Sequence, residues 1–155
     1  MSASTHTHLS AGSADLLPAA EAAMRASGVA WTELRQQVFV ALSDSGRAVS
    51  AYDVSDTLSR RLGRRIAANS VYRILDLFVA TNLAKRVESR NAYIANIHPA
   101  CAHDCIFLVC ETCGGIEHLD DDQLADAMRS RATAHGFVAK RPALELLGTC
   151  RACQG

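Results

Sequence analysis

The sequence of 155 residues lacks a long apolar run, a net charge and any internal repeat beyond one doubled cysteine motif. No stretch approaches the roughly 20 apolar residues of a membrane-spanning helix, so we expect no membrane partner. Residues 1–13 are rich in Ser, Thr, Ala and His and lack the charged-then-apolar pattern of a signal peptide. We therefore expect a disordered tail over 1–13 and a cytoplasmic protein.

Common zinc-enzyme signatures are also missing. The sequence contains neither H-E-x-x-H nor H-x-E followed by P-C-x-x-C, the motifs of metalloproteases and zinc deaminases. A catalytic zinc needs an open coordination position and a nearby general base. Glu117 beside His118 could supply such a base, so a zinc or dithiol enzyme stays open as an alternative. The prediction is that the protein is not an enzyme.

The charges are balanced overall but unevenly distributed. From Arg25 to Ala92 the chain carries eleven Lys and Arg against six Asp and Glu, whereas from Tyr93 onward it carries five against eight. A basic first part followed by an acidic second part indicates that the first part meets a polyanion.

Six cysteines are present, and in a reducing compartment they indicate metal binding rather than disulfides. Two C-x-x-C pairs, Cys110 with Cys113 and Cys150 with Cys153, supply the four thiolates of a closed tetrahedral zinc site. The pairs are 36 residues apart, so such a site would tie a βαβ-like segment together. Redox dithiols are the alternative, but a redox C-x-x-C pair usually opens a helix beside a strand.

A second group of candidate ligands surrounds the first cysteine pair: His98, Cys101, His103, Cys105, Glu117 and His118. A metal held at the junction 98–104 could fix the angle between two halves of the chain and couple metal level to DNA affinity. Sulfur together with imidazole suits zinc better than iron or manganese. Structural roles stay open, because Cys105 could be a small core residue and His118 could face solvent.

The first part of the chain has the pattern of four helices followed by a hairpin. The expected elements are helices over Asp15–Ser27, from an N-cap at Thr32 to Asp44, from a capping box at Ser50 to Gly63 and from Ala67 onward, then strands Leu83–Val87 and Ala92–Ile97. In the fourth helix the apolar positions repeat at helical spacing (Val71, Ile74, Leu75, Phe78, Val79). This order is that of a winged helix-turn-helix.

The opposite face of the fourth helix is polar, and it is the candidate DNA-reading surface. Asn69, Ser70, Tyr72 and Arg73 lie on this face, and Arg65 precedes it. A helix in the major groove can place Asn and Arg at base edges while surrounding Arg and Lys contact phosphates. A solvated basic face is the alternative.

The second part predicts an α/β unit. We expect strands over Cys105–Cys110, Ile116–Leu119, Phe137–Lys140 and Ala143–Leu147, with a helix from the Asp120–Asp122 run to about His135. Leu124, Ala127, Met128 and the stem of Arg131 are predicted to point inward. The predicted fold class is α+β: a winged helix-turn-helix domain over 14–97, a hinge over 98–104 and a small α/β domain over 105–155.

The motifs together resemble the ferric uptake regulator family, most closely its zinc-sensing branch, over roughly Ala30 to Cys153. The resemblance rests on Leu34-Arg35 with Val38, the Ser50–Asp53 run, the Asn69–Leu75 run (similar to T-V-Y-R-x-L), the Val87–Ser89 run, the His103–Gly114 run and the terminal C-x-x-C pair. It implies a homodimeric, zinc-responsive repressor of zinc uptake genes that binds a palindromic operator in double-stranded DNA.

The resemblance also implies roles for individual residues. Tyr72 and Arg73 should face DNA, and Cys110, Cys113, Cys150 and Cys153 should hold a structural zinc. His103 and His118 fall on regulatory-ligand positions, to which we add Cys101 and His98, with Cys105 as the next choice. Relatives draw further ligands from the hairpin and just before the junction, where this chain has Lys85 and Asn96. Iron, manganese or peroxide sensing is the alternative within the family.

A further departure concerns contacts between neighbouring dimers. Some relatives use an Asp–Arg pair in the third helix, where this chain offers Asp56 but has Ser59 in place of the arginine. We therefore do not expect cooperative binding of two dimers unless Arg60 takes that role.

Overall fold

A computed structural model describes residues 13–96, 105–119, 121–140 and 143–155. The elements are α1 Ser13–Ala26, α2 Glu33–Asp44, α3 Ala51–Leu62, α4 Ala68–Ala80, β1 Ala84–Val87, β2 Ala92–Ala95, β3 Cys105–Cys110, β4 Ile116–Leu119, α5 Asp122–Ala134 and β5 Ala143–Gly148, with 3-10 turns at Glu88–Arg90 and Arg151–Cys153. Four helices followed by a hairpin confirm the predicted winged helix-turn-helix, and the mixed second part confirms the α+β class. Predicted hairpin residue Ile97 lies outside the described residues.

The predicted capping signals define where α2 and α3 begin. The Thr32 hydroxyl accepts the N–H of Arg35, and Ser50 and Asp53 form a reciprocal capping box. Hydrogen bonds from Ser50 to the Asp53 carboxylate lower the pKa of that carboxyl below its ordinary value. Gly63 ends α3 at φ +63°, where a residue without a Cβ avoids steric strain.

Replacing Asp53 with alanine should lower the free energy of unfolding by about 1 kcal/mol at neutral pH, because half of the capping box is lost. The folded-state pKa of Asp53 is depressed, so its stabilisation is present above the ordinary pKa of 3.8 and is lost as pH falls through the folded value. Denaturant unfolding of wild type and Asp53→Ala at several pH values checks this. A difference that stays constant down to pH ~2 would contradict the electrostatic part.

The core of the N-terminal half forms where α2, α3 and α4 meet. Its largest fully buried side chains include Val38, Phe39, Leu42, Val54, Leu58, Val71, Leu75 and Phe78. The rings of Phe39 and Phe78 meet edge to face at 5.9 Å, with Trp31 beside both. The apolar stripe predicted for α4 therefore faces this core, with Val79 half-buried at its margin. The polar face of α4 is consequently turned to the surface.

The hairpin β1–β2 is the wing, and it is anchored to the helical core through β2. Tyr93 is fully buried, and its backbone exchanges two hydrogen bonds with Val49 in the loop between α2 and α3. The remaining pairing of the wing is antiparallel, from Ala84 opposite Ala95 to Val87 opposite Ala92.

The C-terminal half is a three-stranded sheet with strand order β4-β3-β5 and the helix α5 in the connection. β3 is antiparallel to β4 and parallel to β5, with Cys110 opposite Gly148 at its end. The expected βαβ-like connection is thus present. A small apolar cluster of Val87, Phe107 and Val109 joins this sheet to the wing.

Two predictions for the C-terminal half are wrong. On α5 the buried residue is Ala125, whereas Leu124 and Met128 are 45% and 50% exposed and Ala127 and Arg131 are exposed as well. Periodicity located an apolar face, but that face is on the protomer surface.

Residues 137–140 form no strand either. The N–H of Phe137 donates to Ala132 O and closes the end of α5, so it is not available to a strand partner. Phe137 and Val138 are exposed.

Candidate metal centre and nucleic-acid interface

The structure brings the four predicted cysteines into one cluster. The Sγ atoms of Cys110, Cys113, Cys150 and Cys153 lie within 4.8 Å of one another. Sγ of Cys113 and Sγ of Cys150 are 3.8 Å apart. Tetrahedral zinc with Zn–S bonds of about 2.3 Å requires sulfur–sulfur distances of roughly 3.8 Å, so this donor set fits a structural zinc.

The parallel pairing of β3 with β5 creates the cluster. It places Cys110, at the end of β3, opposite Gly148, two residues before Cys150. The N–H of Glu111 donates to Gly148 O at 2.8 Å and continues this pairing past the strand. Gly114, at φ +73°, turns the chain after Cys113 and sends its N–H back to Cys110 O.

The electrostatics of the cluster favour a divalent cation. The backbone N–H of Cys150 donates to Sγ of Cys110 at 3.3 Å and is the main cause that lowers the pKa of Cys110 to about 6. Hydrogen bonds to Cys150 and Cys113 raise the pKa of Cys153 to about 12. Four adjacent thiols cannot all ionise without a compensating positive charge, which a bound zinc would supply. Neither pair opens an α-helix, which disfavours the dithiol alternative.

Of the predicted regulatory ligands, only His118 has a described side chain. It lies on β4 opposite Phe107, with ring centroids 5.7 Å apart, and is half-buried. Phe107 in turn packs against Val87 of the wing, so His118 is on the sheet face that meets the N-terminal half. His98, Cys101 and His103 lie outside the described residues. The regulatory ligand set stays a prediction.

The two departures from the family pattern have structural roles of their own. Lys85 donates from Nζ to Asn82 Oδ1 at 2.6 Å, and buried Asn96 donates from Nδ2 to Asn82 O at 2.7 Å. Both side chains therefore hold the base of the wing to the end of α4. The third departure concerned contacts between dimers. Asp56, one of the residues named there, forms an ion pair with Arg60 of its own helix, with Arg60 Nη2 and Asp56 Oδ2 3.2 Å apart.

The predicted DNA-reading side chains share one surface. Asn69, Ser70 and Arg73 are exposed on α4, and Arg65 is exposed just before it. No ion pair joins Arg64 or Arg65 to another described residue, whereas Arg61 lies 3.8 Å from Asp44. An exposed helix face with unpaired guanidinium groups can contact bases and phosphates.

Tyr72 and Asp76 connect this surface to the wing. Tyr72 is half-buried, because its ring meets Tyr93 at 6.5 Å. The Tyr93 hydroxyl donates to Asp76 Oδ1 at 2.9 Å, and Arg86 stacks over the Tyr93 ring. Burial, with the Asp76 hydrogen bond, raises the pKa of Tyr93 to about 12. These contacts fix α4 and the wing as one unit.

Tyr52 is a candidate DNA contact that sequence reasoning did not single out. It is 66% exposed on α3, and its ring meets Tyr72 edge to face at 5.9 Å. Tyr52 stands in the Ser50–Asp53 run, and the sequence contained no specific signal for it, because a single ring on the outer side of a helix is common. Among the described residues, no helix is both long and apolar enough to cross a membrane.

Comparisons with known proteins agree with this architecture. The model of the ferric uptake regulator family matches residues 26–147. The zinc uptake regulation protein of Escherichia coli (strain K12) is 29% identical over 140 residues, which cover 90% of this chain and 81% of that protein.

Two solved proteins are similar in structure. A zinc uptake regulator complexed with zinc and DNA superposes with a TM-score of 0.83 at 28% identity, over 93% of this chain and 96% of that one. Holo XcZur gives 0.77 at 32% identity, over 90% and 96%, and apo XcZur gives 0.52 at 31%, over 93% and 99%. With a family model spanning most of its length and relatives that share its whole architecture, the chain belongs to the ferric uptake regulator family.

Proposed function

We propose that this chain is a zinc-responsive transcriptional repressor that controls zinc uptake genes and binds a palindromic operator as a homodimer when zinc is bound. The observation that carries this proposal is the close superposition, over nearly the whole chain, on a zinc uptake regulator complexed with zinc and DNA. The exposed face of α4 and the four-cysteine cluster supply the corresponding chemistry. A repressor acts where the chromosome is, so we place the protein in the cytoplasm.

The DNA-binding step follows from the position of α4. In a symmetric dimer the two recognition helices enter successive major grooves on one face of the duplex, about 34 Å apart. Arg73 is the residue expected to reach a base edge, with Asn69, Ser70 and Tyr72 beside it and Arg65 on the backbone. Because the two subunits are related by a two-fold axis, they read the same sequence on opposite strands, and the operator is therefore palindromic.

Exposed apolar residues of the C-terminal half support the homodimer. Of the described large apolar side chains that are exposed, only Tyr52 lies in the N-terminal half; the others are Leu119, Leu124, Met128, Phe137, Val138, Leu146 and Leu147. Leu124 and Met128, four residues apart, lie on one face of α5, and an exposed apolar face is typical of a protein interface. A second copy covering this face of α5 would explain why it is turned outward.

We assign zinc two roles. The structural ion is held by Cys110, Cys113, Cys150 and Cys153 and closes the C-terminal domain over 105–155. The regulatory ion is held by His118 with Cys101, His103 and His98 from the hinge 98–104, next to the winged-helix domain over 14–97. Thiolate in this second set favours zinc over iron or manganese.

A DNA-binding titration against buffered free Zn²⁺, Fe²⁺ and Mn²⁺, with metal content measured on the same sample, tests the function. We expect a palindromic operator to be bound at the lowest free concentration with Zn²⁺. A response to Fe²⁺ or Mn²⁺ alone would identify another sensor of the family. Hydrolytic, deaminase or dithiol–disulfide turnover by the holo-protein, without metal-dependent DNA binding, would identify an enzyme.

Substituting the regulatory ligands should separate sensing from folding. Cys101→Ser, His103→Ala and His118→Ala are each expected to raise the zinc midpoint of operator binding by about tenfold or more, because a ligand of the metal is lost. The dimer and its structural zinc should be retained. His135→Ala, at the exposed end of α5, is the matched control. A wild-type midpoint in any of the three would exclude that residue from the set.

A further inference from the structure

The turn at the tip of the wing is held by a carboxylate from the other half of the chain. Glu145 on β5 accepts the backbone N–H of Glu88 on Oε1 at 2.6 Å and that of Ser89 on Oε2 at 3.0 Å. One carboxylate thus binds two successive N–H groups, a charge-assisted arrangement. Glu145 stands opposite Phe107, which is opposite His118, so it belongs to the same row of the sheet as the predicted ligand.

The same turn is also held from the cysteine cluster. Arg90 donates from Nη2 to the carbonyl of Cys110 at 3.0 Å. Its guanidinium lies over Gly114, where a Cβ would come within 2.8 Å of Nη2. Val87, just before the turn, packs on Phe107 and Val109. The wing tip is therefore fastened on two sides, to β5 and to the turn that carries Cys110 and Cys113.

We propose that Glu145 and Arg90 are positioning residues that hold the wing on the zinc-binding half in the arrangement competent for DNA binding. The proposal rests on the proposed function and deepens it. It links the turn that carries Cys110 to the DNA-binding half through the hydrogen bond from Arg90 to the Cys110 carbonyl. The chain as a whole, with the wing in this position, superposes better on holo than on apo XcZur, with TM-scores of 0.77 and 0.52.

Glu145→Ala tests the proposal because two physical effects predict opposite signs. Removing a negative charge beside the wing should by itself strengthen DNA binding, because the charge repels the phosphates of the DNA. Loss of the fastening should weaken it. We expect operator affinity at saturating zinc to fall about fivefold or more and the zinc midpoint to rise, as for a lost allosteric coupling. Asp126→Ala, on the exposed face of α5, removes the same charge without touching the wing.

Hydrogen exchange at the two amides provides a readout that does not depend on DNA. The amides of Glu88 and Ser89 should exchange slowly in the wild type and rapidly in Glu145→Ala, while those of β3 stay protected. Glu145→Gln keeps the side-chain volume and one acceptor oxygen, so its Glu88 and Ser89 amides should exchange at rates between those of the wild type and of Glu145→Ala. This variant replaces Glu145→Ala in the test if the alanine variant loses its zinc or its dimer.

The outcomes separate this proposal from the function. If the wild type responds to zinc and both Glu145 variants bind the operator as Asp126→Ala does, the positioning role is overturned. Unprotected Glu88 and Ser89 amides in the wild type would overturn it as well. A wild type without any zinc-dependent DNA binding would instead overturn the proposed function, even with both amides protected.

Discussion

Replacing Cys150 with serine is expected to unfold the C-terminal half of the protein. Its sulfur is one of four within 4.8 Å, and a serine hydroxyl is a poor replacement for a thiolate at zinc. Structural zinc contributes about 10–16 kcal/mol of binding free energy in small zinc domains. That is comparable with the whole free energy of unfolding of a typical domain, about 5–15 kcal/mol. The zinc content and the thermal unfolding curve of the purified variant measure the effect.

The cluster joins two distant parts of the chain, so the loss should be cooperative. Without the ion, the C-terminus would be held by the parallel pairing of β3 with β5 and by the two hydrogen bonds between Glu145 and the wing. Cys101→Ser is the matched control: it removes one thiol from the junction but leaves the four-cysteine cluster complete. Compared in protein that carries the structural zinc alone, with no ion bound at the junction, it should unfold at the wild-type temperature. A Cys150→Ser protein that has lost its zinc but keeps full stability would show that the cluster is not structural.

Replacing Arg73 with alanine is expected to reduce operator affinity by roughly 1–3 kcal/mol, the usual value of a bidentate contact to a base. Arg73 is exposed on α4, one residue after Tyr72, whose ring is held between Tyr52 and Tyr93. These ring contacts hold Tyr72 in place beside Arg73, whose exposed guanidinium can be directed into the groove. Competition binding with operator and random duplexes, at one stated salt concentration, measures the difference.

Arg65→Ala is the natural comparison for Arg73→Ala. Arg65 is exposed before the helix begins and is expected to contact phosphate, so its loss should weaken operator and random DNA about equally and reduce the salt slope by about 1. An equal loss on both duplexes for Arg73→Ala would contradict a base-reading role and leave it as a phosphate contact.

The success of the sequence predictions depended on whether the signal was local. Thr32, Ser50 with Asp53 and Gly63 mark helix ends through contacts within a few residues, and each is found as predicted. The apolar stripe of α4 is likewise a property of one helix. Where an apolar face had to be given a partner, local reasoning was wrong, as for Leu124 and Met128 on α5.

Hydrogen bonds between side chains and partners that are distant in the sequence could not be predicted from the sequence. Asp76 looks like another polar residue of the α4 face, but it accepts the hydroxyl of buried Tyr93. Glu145 lies in an apolar strand pattern, 57 residues from its partner Glu88. No periodicity or spacing relates such pairs, because they are brought together only when the wing meets the sheet.

The sequence alone determined the four-cysteine donor set, the winged-helix order and the polar face of α4, because ligand type, cap chemistry and helical period act over short distances. The tertiary structure decided that the cysteines converge within 4.8 Å, that Tyr52 stacks on Tyr72, and that Glu145 and Arg90 hold the wing. These features depend on the parallel register of β3 with β5 and on the docking of the wing. Both arise from long-range packing that no local pattern encodes.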